Sequence, residues 1–119
     1  MKEYDVMELT NEFIENAVIQ GETANSGDYK KGNKASEKLF KLESIMKENT
    51  DIAKEMLNVL LEHENINVKI WAGANALDLK YRDKEAEQLL TKISMMHDIG
   101  ILRFNAERML ETKGKKDRV

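Results

Sequence analysis

The stretch 60–79, LLEHENINVKIWAGANALDL, admits few folds. Leu57, Leu60 and Leu61 form the apolar end of one helix, and the polar run 63–67 breaks it. Beyond the break, Val68, Trp71, Ala72, Ala76 and Leu79 recur at the spacing of one face of a 3.6-residue helix. Ala72, Gly73, Ala74 and Ala76 are small enough to let a neighbouring helix approach closely. This is the pattern of a stacked helical hairpin.

The rest of the chain repeats the helical period. Val6, Leu9, Phe13 and Ala17, widened by Ile14 and Val18, mark a first helix that starts near Asp5 and ends at 25–28, with Gly21 inside it. A second helix over about 29–47 carries Ala35, Leu39, Leu42, Ile45 and Met46, with Phe40 to one side. Asn49, Thr50 and Asp51 stop it and cap a third, whose buried face is Ala53, Leu57, Leu60 and Leu61. Ile52, Met56 and Val59 are left there for a second neighbour. The Trp71 helix is fourth, capped by Asn65 or Asn67 and ending within 78–81. Asp83 is expected to cap a fifth helix with core positions Ala86, Leu89, Leu90, Ile93 and Met96. After a break at His97 and Asp98, a sixth buries Ile99, Leu102, Ala106, Met109 and Leu110. No strand-like alternation of useful length interrupts these patterns. The expectation is a single all-α domain over 1–112 made of three antiparallel helical pairs, with a basic disordered tail at 113–119. The weak repeat of small residues, at a period of about 30–35, is that of a short solenoid.

Composition removes several function classes. With no cysteine there is no disulfide, no thiolate zinc site and no cysteine nucleophile. The absence of proline favours uninterrupted helices. No apolar run approaches the ~20 residues that span a bilayer. The opening MKEYDVMELT has no apolar core of a signal peptide, so a cytoplasmic location is expected. The net charge of −3 is unevenly spread. Residues 1–27 carry one lysine against six acids, residues 28–48 six lysines against four acids, and the tail is basic. A globally acidic chain of this kind is not the usual footprint of a nucleic-acid binder.

Laid out this way, the chain resembles HEAT and armadillo-type helical repeats. LLEHENINVKIWAGANALDL is similar to the HEAT pattern of leucines, a polar turn, Val-Lys and spaced alanines, and IGILRFNAERML is a looser second copy. FIENAVIQGETANSGDYKKGNK with the later KLESI is similar to the long hairpin that precedes HEAT-like pairs in a small bacterial family of unassigned function. The resemblance implies a short HEAT-like superhelix, a surface that binds another protein, and no catalytic residues. By analogy of size and architecture, the most specific expectation is an immunity protein that neutralises a bacterial toxin.

Candidate sites divide between structural and functional readings. The exposed acids Glu8, Glu12, Glu15 and Glu22 form either a solvated helix face or a negative surface that steers a basic partner such as a toxin domain. Glu62, His63 and Glu64 occupy a turn at the polar edge and are the second protein-binding candidate. His63 and His97 sit in matching turns, where a lone histidine is more often a turn residue than a ligand; HExxH, P-loop and nucleophile-elbow motifs are missing. Trp71 reads as a core residue before it reads as an interface anchor. Lys30, Lys34, Lys38 and Lys41 form a lysine face that is the basis of a nucleic-acid alternative, with little aromatic interleaving to support it. A histidine-dependent enzyme or metal protein is the remaining alternative. The expected function is therefore non-enzymatic protein binding, with no cofactor, no metal and no membrane.

Overall fold

In the computed structural model, which describes residues 3–114, six helices follow one another: α1 Val6–Ser26, α2 Tyr29–Glu48, α3 Thr50–Leu60, α4 Ile66–Leu79, α5 Asp83–Ser94 and α6 Leu102–Met109. A π-helical turn, Leu110–Gly114, continues α6. No strand is present among the described residues, and none of the helices is long and apolar enough to cross a membrane.

Local chemistry sets most of the boundaries. The Asp5 carboxylate accepts from the backbone N–H of Met7 at 2.9 Å and of Glu8 at 3.3 Å, which satisfies donors left open at the start of α1. Gly27 ends α1 in the left-handed region (φ 85°), with its N–H on the Thr23 carbonyl, a conformation that a Cβ would strain. Asp28 and Asn65 cap α2 and α4 in the same way as Asp5. Inside α1, the buried hydroxyls of Thr10 and Thr23 turn back onto the carbonyls of Val6 and Ile19 and so bring no unpaired group into the core.

Two boundaries depart from expectation. Asp83 does not cap α5 but is its first residue; Arg82 precedes it in the left-handed region (φ 51°), and so does Lys80 (φ 55°). That turn is held from outside. Asn58 Oδ1 on α3 accepts from Tyr81 Oη at 2.7 Å and from Arg82 Nη1 at 3.2 Å, while Arg82 also pairs with Glu62 and Glu85. Lys113, with which the expected tail begins, lies in the π-helical turn and pairs with Asp78 at 2.6 Å. Residues 115–119 of that tail lie outside the described residues.

Packing centres on α4. It touches α1, α3, α5, α6 and the π-helical turn, and every residue from Trp71 through Leu77 is buried. A helix buried on all sides must be apolar or small all round, and that is what its alanines and glycine supply. At Gly73 an added Cβ would come to 3.0 Å from Leu90 Cγ of α5, so the close approach of these two helices uses the missing side chain. The hairpin of α1 and α2 covers the other side, with α1 packed on α2, α3 and α4. Phe13, Leu39, Met46, Met56, Leu57, Leu60, Ile70, Leu90 and Ile93 form the fully buried centre. Met56 joins the core while Val59 stays 53% exposed. α6 buries only Ala106 completely; Ile99, Leu102, Met109 and Leu110 pack against the core with one side in solvent.

Candidate functional site

α1 packs on both α2 and α4, while side chains carry much of the contact between the latter two. The tilted rings of Phe40 and Trp71 meet there with centroids 5.7 Å apart, and Asn75 Nδ2 donates to Glu43 Oε2 at 2.8 Å. Asn105, Arg108 and Met109 of α6 and Lys113 close the end, leaving a cleft of about 300 Å³. A second cavity of about 220 Å³ shares Gln20, Ser36 and Asn105 with it and runs on past Tyr29 and Ile101. Together they form one groove with a polar floor.

The floor is an amide network. Gln20 Oε1 accepts from Asn67 Nδ2 at 2.7 Å and from the Trp71 indole N–H at 3.1 Å, and Asn67 Nδ2 also donates to the Ala17 carbonyl at 2.6 Å. Gly21 makes room for this: a Cβ there would stand 2.7 Å from Asn67 Cβ. Asn67 Oδ1 is buried without a partner, a costly state for a carbonyl oxygen unless something donates to it. Asn75 Nδ2 donates to the Trp71 carbonyl as well as to Glu43.

Burial pushes the Glu43 carboxyl above its ordinary value of 4.5, against the pull of the Asn75 hydrogen bond and the charges of Lys113 and Lys47; Asp78 adds to the rise. The folded state therefore keeps the Glu43 proton at pH values where the unfolded chain has released it. Stability is lost as pH rises from about 4.5 through the folded value, and the penalty is constant above it. Glu43→Gln removes the titration and leaves a carbonyl oxygen for Asn75. We expect the variant to be more stable than the wild type at pH 7 in urea denaturation, with the difference closing below pH 4.5. A wild type more stable than the variant at pH 7 contradicts this account.

The candidates expected from sequence lie elsewhere. Glu8, Glu12, Glu15 and Glu22 are all exposed, and by the helical period they occupy a different face of α1 from Gln20. Glu62 pairs with Arg82, and Glu64 is exposed. His63 Nδ1 accepts from the Asn65 N–H at 3.0 Å, which makes it a turn-forming residue. Glu22 borders a cavity of about 210 Å³ with Asn65 and Ile66, where the acidic face meets the end of that turn. His97 is exposed in the loop after α5, and among the described residues no three His, Asp or Glu side chains gather as metal ligands. Lys30, Lys34, Lys38 and Lys41 are exposed on the side of α2 away from the groove, and among the described residues no ion pair joins them to the acids of α1. A larger concavity of about 540 Å³ along α5, lined by side chains such as Lys84, Gln88 and Met95, is the surface of a single helix and has no opposing wall.

The groove residues Gln20, Asn67 and Asn75 escape a reading of the sequence by periodicity. A signal is nevertheless present: Asn67, Trp71 and Asn75 stand at i, i+4 and i+8, a polar stripe through the most apolar helix of the chain. No family model matches this chain, and neither a curated protein nor a solved structure matches it.

Proposed function

We propose that this chain is a non-catalytic, cytoplasmic protein-binding module of HEAT-like build, and that its most specific role is that of an immunity protein occluding a basic toxin domain. The observation that carries the reading is the gathering of exposed apolar side chains along one groove. Tyr29 is 77% exposed, Phe40 56% and Ile101 45%, and all three line its two cavities. Aromatic side chains left in water beside a preformed concavity are the usual anchors of a protein interface. The acidic face of α1 adds long-range attraction for a basic partner and acts on the rate of encounter more than on the contact itself.

The test is capture of a partner from the native host by immobilised protein, followed by binding kinetics with the purified partner. The pair Tyr29→Ala and Phe40→Ala is expected to speed dissociation by at least about tenfold, because anchors act on the off-rate. Reversal of Glu8, Glu12 and Glu15 to lysine is expected to slow association several-fold, and less so at high salt. A wild-type chain that captures nothing overturns the reading, and so does a partner indifferent to both sets of changes.

A further inference from the structure

We propose that the cleft between Phe40, Trp71 and Glu43 receives an arginine side chain of the partner protein; the inference rests on the protein-binding reading above. The groups in the cleft offer a carboxylate and an aromatic wall. Glu43 has one carboxylate oxygen on the Asn75 amide, and among the described residues no cation forms an ion pair with it. Lys113, the nearest candidate on the π-helical turn, is bound to Asp78 of α4 at 2.6 Å. Lys47 lies one turn further along α2 and is exposed, as is Arg108 on the α6 wall. The carboxylate is thus half-buried and incompletely neutralised. Asn67, in the same lining, is only 2% exposed, and its Oδ1, without a partner among the described residues, is itself buried and so is not an acceptor for a group entering the cleft. The Gln20 carbonyl is already filled by two donors, which leaves the Glu43 carboxylate as the acceptor of the cleft.

A guanidinium meets each of these features. It donates in a planar fork to a carboxylate, stacks on aromatic rings, and loses less hydration than an ammonium on entering a half-buried space. The Phe40 and Trp71 rings, 5.7 Å apart and inclined at 57°, provide the corner. A volume of about 300 Å³ lies at the lower limit of small-molecule pockets, which suits one long side chain better than a cofactor. The net charge of −3 favours a basic partner in the first place.

Trp71 is the only tryptophan, and it stands in the cleft wall, so its fluorescence reports occupancy directly. The intact protein is titrated at constant ionic strength with Nα-acetyl-arginine amide, and in parallel with the lysine and norleucine amides. We expect a saturable change with the arginine amide in the millimolar range, weakened about tenfold or more in Glu43→Gln, with lysine several-fold weaker and norleucine without effect. No saturable change with the arginine amide overturns the inference. A response undiminished in Glu43→Gln, or equal for norleucine, overturns it as well. The broader reading fails separately, when the wild-type chain captures no partner at all.

Discussion

Replacing Phe13 by alanine is expected to cost about 3–5 kcal/mol, the range for a fully buried aromatic whose site cannot collapse. Phe13 has no exposed surface and stands midway along α1, the helix that contacts α2, α3 and α4 together. A cavity left by a side chain with no exposed surface, on a helix held by its contacts with three others, has limited room to relax, so dispersion contacts are lost. Total stability of a domain of this size is about 5–15 kcal/mol, so the change removes a third or more of it in most of that range. Urea denaturation should show a lower midpoint at nearly constant slope, and the melting temperature should fall by about 10 °C or more. Phe104→Ala is the matched control. It removes the same ring from a site 55% exposed and is expected to stay within about 0.5 kcal/mol. A Phe13→Ala loss under about 1 kcal/mol would mean that the α1 seam is not the packed centre.

Phe13 also marks what a sequence of this kind discloses. Its burial follows from spacing alone, as does that of Leu39, Leu57, Leu60 and Leu90, because a 3.6-residue period has only one way to face a core. The caps at Asp5 and Asn65 are legible for a similar reason: the donor and acceptor are within three residues of each other. Whatever depends on distant partners is not. The left-handed turn at Lys80 and Arg82 relies on Asn58 and Glu62, which lie 20 or more residues earlier. Lys113 reads as part of a charged tail until Asp78, 35 residues away, is placed beside it. The cleft belongs to this second class. Its lining comes from α1, α2, α4 and α6, a property of several helices together that no single periodicity encodes. Exposed charge is easily seen in a sequence, and so the acidic face of α1 and the Glu62 turn draw attention. The buried amides Gln20, Asn67 and Asn75 look like ordinary helix positions until their partners are known.

Asn67→Asp therefore tests the floor of the cleft most severely. In the wild type, Asn67 Nδ2 donates to the Ala17 carbonyl at 2.6 Å and to Gln20 Oε1 at 2.7 Å. Aspartate sets an oxygen against both of these acceptors. No cation stands among its hydrogen-bond partners, and Asn67 is only 2% exposed. An uncompensated buried charge costs about 3–5 kcal/mol, so the variant should be at least as unstable as Phe13→Ala at pH 7. The new carboxyl must also titrate far above the ~3.9 of a free aspartate, because burial disfavours its charged form. A folded value raised above the unfolded one means that stability is regained as pH falls toward 4 and lost as pH rises through the folded value. Asn67→Leu separates charge from hydrogen bonding. It removes the two donations, and with them the orphaned oxygen, and should cost about 1–3 kcal/mol with no pH dependence of its own. At pH 7 aspartate should be clearly worse than leucine, and at pH 4 the two should draw together. An aspartate variant within about 1 kcal/mol of wild type at pH 7 requires water to reach residue 67, which replaces the dry amide floor by a hydrated one.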